Sequence, residues 1–289
     1  MSGRKKKSRF SLFIAVAAAF FIGGFVTAWL VSKSQTPSPV PPKKTAKKSE
    51  GMLPAPLASA PRLEPQTVKR NRLAIVIDDI GLRKEPVEKL MALGIPLTFA
   101  IMPAQPHTKD LAETLHAAGY ELMIHLPMEP EDYQGHNPGG DALLVSQSDE
   151  DIRDAVRRVV AEIPGAAGVN NHMGSLFTQN SRKMRVVLGE MKSAGLFFVD
   201  SLTTPKSVAL PLAREMGIKS AARRVFLDNE GDTAEVEKMI RLAIKLAKGK
   251  GDIIAIGHPH PGTVEALAGM KDELAQSGVE LVSVSALVR

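Results

Sequence analysis

The stretch Leu-Ala-Ile-Val-Ile-Asp-Asp-Ile-Gly at residues 73–81 joins five consecutive apolar residues to two adjacent acids. A short, unbroken apolar run is typical of a strand that is buried on both faces, as in a parallel sheet. The two acids come where this strand ends. The segment therefore predicts a buried parallel strand with polar side chains at its carboxyl end.

The same pattern repeats from residue 73 onward, where short apolar runs alternate with amphipathic helical stretches. Seven or eight such β-α units predict an α/β fold; a (β/α) barrel is favoured, and a doubly wound open sheet is the alternative. The predicted strands are 73–77, 97–102, 121–124, 168–170, 196–199, 225–227, 253–256 and 281–284. The predicted helices are 83–93, 107–118, 149–162, 180–194, 205–216, 233–249 and 262–277.

The charge of the chain is divided unevenly between its two parts. The sequence has 37 Lys and Arg against 31 Asp and Glu, but residues 1–72 hold 14 of the basic and two of the acidic residues. The region 73–289 therefore carries 23 basic and 29 acidic residues, and a mildly acidic domain is a poor binder of nucleic acid. The sequence contains no cysteine, which excludes disulfides, thiolate metal ligands and a cysteine nucleophile.

A basic segment at residues 1–9 precedes an uncharged apolar run at 10–31. At about 1.5 Å per residue, a helix of this length crosses a bilayer core of roughly 30 Å. The basic residues before the run predict a single-pass anchor in a bacterial inner membrane, with the folded domain in the periplasm. The alternative is a signal sequence whose cleavage leaves a secreted or periplasmic protein.

A linker is predicted between this anchor and the folded domain. Residues 32–71 are rich in Pro, Lys, Ala and Ser and contain few aliphatic side chains. Such a composition cannot bury enough apolar surface to fold by itself, and its prolines favour extended stretches. The folded domain is therefore predicted to span residues 72–289.

Polar side chains follow most of the predicted strands at the point where each strand ends. Because the carboxyl ends of the strands in a parallel barrel open on the same rim, we expect these side chains to gather there in a functional site. The residues are Asp78, Asp79, His125, Asn170, Asn171, His172, Asp200, Asp228, His258 and His260.

Five motifs in this region carry a family resemblance. They are Ile-Asp-Asp-Ile-Gly at 77–81, His-Leu-Pro-Met-Glu at 125–129, Val-Asn-Asn-His-Met-Gly-Ser at 169–175, Val-Asp-Ser at 199–201 and Gly-His-Pro-His-Pro at 257–261. Together they resemble the divergent polysaccharide deacetylase family, which is related to NodB-type carbohydrate deacetylases. The resemblance implies a distorted (β/α) barrel that holds one divalent metal ion, most often Zn²⁺.

The resemblance also implies a role for each matching residue. The first acid of the pair, Asp78, corresponds to a general base, and the second, Asp79, to a metal ligand. His125 corresponds to the first histidine of a His-x-x-x-His metal motif, and Glu129 stands where the second histidine is expected. We expect His172 to supply the missing nitrogen ligand. The late histidine that serves as general acid corresponds to residue 258.

Further residues are expected to support this chemistry. Asp200 is expected to orient His258 and to raise its pKa by Coulomb attraction. Glu129, Asn171 and His260 are secondary candidates that contact the substrate or the site. Three of these residues have a structural alternative: Asp200 can cap the next helix, Glu129 can form a loop salt bridge, and Asn171 can satisfy loop backbone.

We therefore expect a metal-dependent hydrolase of the cell envelope that de-N-acetylates an amino-sugar polymer or oligomer. A metal hydrolase with another amide or ester substrate is an alternative in the same class. A non-catalytic, metal-stabilised barrel that binds envelope glycan or a partner protein is the alternative from a different class. It is favoured by the missing second histidine and by the scarcity of aromatic residues after residue 72.

Overall fold

A computed structural model of the chain describes residues 71–139 and 141–289. The predicted basic segment, the predicted anchor and the predicted linker up to residue 70 lie outside the described residues. Within the described ranges, no helix is both long enough and apolar enough to cross a membrane.

The described residues form one sheet of nine strands, and every strand pair in it is parallel. The order across the sheet is β6-β5-β4-β3-β2-β1-β8-β7, and β9 pairs with β1. The strands are β1 (Arg72–Ile80), β2 (Thr98–Ile101), β3 (Glu121–Met128), β4 (Gly168–Met173), β5 (Phe197–Asp200), β6 (Ser220–Ala222), β7 (Val225–Phe226), β8 (Ile253–Gly257) and β9 (Glu280–Leu281).

The sheet curls round on itself into a barrel with one open seam. Its two ends, β6 and β7, are joined by only two residues, Arg223 and Arg224. Because consecutive Cα atoms are about 3.8 Å apart, Ala222 and Val225 can lie no more than roughly 11 Å from each other. A doubly wound sheet would reverse its strand order at a switch point, and this sheet does not. The barrel prediction is confirmed, and the open-sheet alternative is wrong.

Helices alternate with the strands, as predicted, but several bounds differ. They are α1 (Glu85–Ala92), α2 (Thr108–Ala117), α3 (Asp149–Glu162), α4 (Ser181–Ser193), α5 (Ala209–Glu215), α6 (Thr233–Lys250), α7 (Pro261–Gly269) and α8 (Lys271–Gln276). The predicted helix 149–162 coincides with α3, which begins at a capping box formed by Ser148 and Asp151. The predicted helix 262–277 is divided at Met270 into α7 and α8.

Alternation along the strands divides their side chains between two apolar layers. In β1, Leu73, Ile75 and Ile77 belong to the larger core that packs against the helices, whereas Ala74 and Val76 belong to a smaller core inside the barrel. Strands β2, β3, β5 and β8 contribute side chains such as Ala100, Met123, Val199 and Ile256 to the smaller core. In each strand, every second side chain faces the barrel interior, and we call these side chains the interior row. Where an interior row continues to the carboxyl rim, it determines which polar side chains reach the mouth of the barrel.

Candidate functional site

Three strands continue their interior rows into polar residues at the carboxyl rim. Asp78 continues the row of β1, His125 that of β3 and His258 that of β8, each two residues after an interior apolar side chain. Strand β4 adds Asn170 and His172, which lie two residues apart on one face. The two-residue repeat of the strands therefore gathers these side chains from distant parts of the chain at one end of the barrel.

Asp79 reaches the same rim through a local break in the alternation. Strict alternation would turn Asp79 towards the helices, as it does for Ile77. However, the register of β1 against β2 shifts between Ile77 and Ile80, and Asp79 has a left-handed backbone with φ of 56°. A β-bulge of this kind re-aims a side chain, so both acids of the pair face the barrel mouth.

Three candidate metal ligands meet at this rim. Asp79 Oδ1 lies 3.2 Å from His125 Nε2 and 3.0 Å from His172 Nδ1, and these two imidazole nitrogens are 3.1 Å apart. Nitrogen and oxygen ligands that lie about 2.0–2.2 Å from a tetrahedral zinc ion stand roughly 3.3–3.5 Å from one another, close to the observed separations. Asp79 Oδ1 is buried, and although the two imidazole nitrogens lie close to it, no well-aligned hydrogen bond satisfies it in the described part of the chain. The three side chains thus fit a divalent cation, which would satisfy that oxygen.

Asn170 sets the tautomer of His125. Its amide nitrogen donates to Asp78 Oδ1 at 2.8 Å, and its amide oxygen lies 2.8 Å from His125 Nδ1. Because the amide oxygen can only accept, His125 Nδ1 carries the proton. The lone pair of His125 is therefore on Nε2, which faces Asp79 and His172, as metal ligation requires.

Asp78 is a buried carboxyl with increased proton affinity. Burial raises its pKa, and the charges of His125 and His258 and the hydrogen bond from Asn170 only partly offset this effect. Its Oδ2 atom lies 3.6 Å from His125 Nε2, next to the three candidate ligands. A carboxyl with these properties beside a metal site is suited to accept a proton from water.

His258 is oriented by Asp228. Its Nδ1 lies 3.0 Å from Asp228 Oδ1, and its backbone N–H donates to Oδ2 at 2.6 Å. Burial opposes protonation of His258, but the hydrogen bond to Asp228 and the charges of Asp78, Asp228 and Asp79 raise its pKa to about 9. The other ring nitrogen, Nε2, lies 3.9 Å from Asp79 Oδ2. His258 is therefore protonated at neutral pH and adjoins the candidate metal site.

Asp200 does not take the place beside His258 that the sequence suggested. The residue before it in β5 faces the barrel interior, so alternation turns Asp200 towards the helices. Its carboxylate accepts hydrogen bonds from the backbone of Leu202 at 2.9 Å and from Ser207 Oγ at 2.7 Å. Asp200 therefore holds the loop after β5. The contact with His258 that was expected of Asp200 is made by Asp228 instead.

Of the secondary candidates, Asn171 and Glu129 anchor backbone segments, and His260 lies at the edge of the site. Asn171 is buried; its amide nitrogen donates to the carbonyl of Met173 at the end of β4, and its amide oxygen accepts from the backbone N–H of Ser201 in the loop after β5. Glu129 accepts a hydrogen bond from the backbone of Val145 at 2.6 Å, which ties down the long loop after β3. His260 is exposed and stacks on the ring of His258 with centroids 5.5 Å apart. Together with Asp228, these two histidines form a second group of possible metal ligands.

The rim opens into a cleft of about 750 Å³ whose wall includes residues of the barrel seam. One of them, Arg223, was not predicted, because nothing in its sequence surroundings marks a seam. Asn170 and Asp228 follow strands in the sequence, but their positions alone do not predict a principal role in the site. Both lie on the interior rows of their strands, and this signal could have identified them.

Comparison with known proteins places this domain among related sequences. A family model described as divergent polysaccharide deacetylase matches residues 75–288. The uncharacterized protein YibQ of Escherichia coli K12 is 37% identical over 221 residues, which are 76% of this chain and 68% of that protein. An uncharacterized protein of Haemophilus influenzae is 34% identical over 221 residues, or 76% of this chain and 78% of that one.

A solved structure also resembles the barrel. The crystal structure of the uncharacterized protein ATU2773 from Agrobacterium tumefaciens C58 is 25% identical, with a TM-score of 0.71. The similarity covers 77% of this chain and 91% of that one.

Proposed function

Because this chain belongs to the divergent polysaccharide deacetylase family, we propose that it is a metal-dependent hydrolase that removes acetyl groups from an amino-sugar polymer or oligomer of the cell envelope. One observation carries the proposal. The ligand atoms of Asp79, His125 and His172 lie within 3.2 Å of one another, and Asp78 and His258 share their rim.

The three convergent side chains would hold the metal ion. Two imidazole nitrogens and one carboxylate oxygen suit Zn²⁺, and three protein ligands are typical of catalytic rather than structural zinc sites. A divalent ion bound by Asp79, His125 and His172 would supply Lewis-acid polarisation of the acyl carbonyl and lower the pKa of water.

Asp78 and His258 would divide the two proton transfers of amide hydrolysis. The Asp78 carboxylate accepts a proton as water adds to the acyl carbon, and its raised pKa makes it a stronger base than an ordinary aspartate. His258, with a pKa of about 9, donates a proton from Nε2 to the sugar nitrogen as the C–N bond breaks. The products are acetate and a free amine.

The sequence before the barrel supports an envelope location. We propose that residues 10–31 anchor the chain in the inner membrane and that the linker at 32–71 extends the barrel into the periplasm. Protease added to spheroplasts tests this topology. Digestion of the barrel is the expected result, and full protection of the barrel would contradict it.

Acetate release tests the activity. The full-length protein is stripped of metal with a chelator, reloaded with Zn²⁺ and incubated with N-acetylglucosamine oligomers or with peptidoglycan. We expect release to require the reloaded metal and to fall at least roughly 100-fold in Asp78→Asn, because a general base contributes about that much. The control is His136→Ala, which removes an exposed loop histidine outside the site. Metal binding without acetate release from any substrate would favour the non-catalytic, glycan-binding alternative.

A further inference from the structure

Two neighbouring arginines line the cleft beside the candidate metal site. Arg223 and Arg224 form the link between β6 and β7, so the seam of the barrel places both of them in the cleft wall. The only acids among the residues that line this cleft are Asp78 and Asp79, and both of these lie against histidines. Neither arginine forms an ion pair with a carboxylate of the described residues, although the charges of Asp78 and Asp200 attract Arg223 from a greater distance.

The guanidinium of Arg223 is held in a fixed position. Its Nε donates to the carbonyl of Ser201 at 2.7 Å, and its Nη2 donates to the carbonyl of Leu202 at 3.0 Å. Its central carbon lies 4.8 Å from the ring centroid of Phe226. The remaining nitrogen, Nη1, has no hydrogen-bond partner among the described residues. A guanidinium fixed in this way has spare donors and a full charge to offer to a ligand.

Arg224 adds a second unpaired charge. Its side chain is exposed, and the described residues provide it with neither a hydrogen bond nor an ion pair. Exposed arginines such as Arg158 and Arg214 also lack ion pairs, so what distinguishes Arg224 is its place in the cleft wall beside Arg223. The cleft wall thus places two guanidinium groups, neither of them in a direct ion pair, where a substrate would lie.

The same wall offers little surface for stacking on sugar rings. Phe226 is the only phenylalanine, tyrosine or tryptophan among the described residues that line the cleft, and its ring is already covered by Arg223. Recognition of the ligand must therefore depend on charge and hydrogen bonds more than on aromatic faces.

We propose that Arg223 and Arg224 bind an oxyanion of the substrate, so that the glycan is an N-acylated amino sugar that carries, or is linked to a sugar that carries, a carboxylate or phosphate group. The planar guanidinium donates paired hydrogen bonds to both kinds of oxyanion. The substrate class named here presupposes the proposed hydrolase function, although binding of the oxyanion can be measured without turnover.

Binding to three matched oligomers tests the oxyanion site. The full-length protein carrying Asp78→Asn, which suppresses turnover, is titrated by calorimetry with an N-acetylglucosamine tetramer, its C6-carboxylate form and its C6-phosphate form. At low salt we expect one or both anionic tetramers to bind roughly tenfold more tightly than the neutral one, as a charge-assisted contact provides. We also expect added salt, at about 0.5 M, to reduce this preference, because screening weakens exposed charge pairs. Whichever anion is preferred identifies the source of the oxyanion.

Two arginine variants of the Asp78→Asn protein test whether the seam arginines provide the preference for anionic tetramers. Arg224→Gln should reduce the preference for the anionic tetramers, because it removes one of the two guanidinium groups in the cleft wall. Arg158→Gln should retain the preference, because Arg158 is an exposed arginine of α3 that does not line the cleft. Thermal unfolding of both variants checks that the fold is intact.

Two outcomes would overturn the oxyanion site. One is equal affinity for the three tetramers, and the other is an equal preference for the anionic tetramers in Arg224→Gln and Arg158→Gln. Acetate release by the unmutated protein is measured separately on the same tetramers. If none of them is deacetylated, the hydrolase proposal fails, while the binding data still decide the oxyanion site.

Discussion

Replacing Asn170 by leucine should weaken metal binding without removing a metal ligand. The Asn170 side chain is fully buried and contacts His125 Nδ1 and Asp78 Oδ1, both at 2.8 Å. Leucine has nearly the same shape but can bond to neither group. His125 Nδ1 then no longer needs to hold the proton, so the tautomer protonated on Nε2 competes with the metal for that nitrogen.

The size of both effects follows from these two contacts. Loss of a partner that orients a ligating histidine lowers metal affinity by about 10–100-fold. Each buried polar group left without a partner costs about 1–3 kcal/mol, so the free energy of unfolding of the metal-free protein should fall by roughly 2–6 kcal/mol.

The matched control is Asn171→Leu. Asn171 is the next residue of the same strand and is also buried, but it bonds to the backbone of Ser201 and Met173. Zinc affinity is measured by competition with a chromogenic chelator, and stability by urea unfolding of the metal-free protein. Both variants should lose stability, but only Asn170→Leu should lose affinity. Equal affinity in the two variants would refute the assignment of the His125 tautomer to Asn170.

Three further substitutions test other parts of the structure. Asp228→Asn should bring the pKa of His258 well below its value of about 9, because the hydrogen bond and charge of Asp228 raise that pKa. NMR titration of the metal-free protein measures the pKa of His258, and an unchanged value would contradict the role of Asp228. Asp252→Asn removes the partner of two arginines and should cost about 1–2 kcal/mol at pH 7. The stability difference between wild type and Asp252→Asn should vanish in acid, because the pKa of Asp252 is lowered in the folded state. Such a carboxyl stabilises the fold above its unfolded pKa of about 3.9, and this contribution is lost as the pH falls through its folded pKa. Urea unfolding at several pH values measures the difference, and a constant value would contradict this reasoning. Gly168→Ala would push a Cβ into the ring of Phe197 and should cost about 1–3 kcal/mol while zinc affinity stays unchanged; a variant as stable as wild type would show that the ring can move aside.

Alternation along the strands explains why much of the site could be predicted from the sequence. The apolar runs predict the strands, and parallel strands bring their carboxyl ends to one rim. Applied residue by residue, the same two-residue repeat separates Asp78, His125 and His258, which face the interior, from Asp200, which faces the helices. The role predicted for Asp200 was wrong because its position after a strand does not by itself reveal which face it occupies.

Other features depend on contacts that the sequence does not display. The bulge that turns Asp79 inward arises in the pairing of β1 with β2, which is a long-range contact. Strand β6, Ser-Ala-Ala at 220–222, has no apolar run and exists because it pairs with β5. The seam, and with it the place of Arg223 in the cleft, follows from the closure of the whole sheet.

The left-handed backbone at Asp79 restricts which amino acids can serve at that position. If the proposed metal site is right, a residue there must supply an oxygen or nitrogen to the cation and must also tolerate a φ of 56°. Most L-residues lose roughly 1–2 kcal/mol in such a conformation, whereas aspartate and asparagine adopt it more readily because their short side chains bond locally. Glutamate carries the same charge but has a longer side chain, so it is a poor substitute for Asp79. Asp79→Glu would conserve the charge while straining the left-handed backbone conformation.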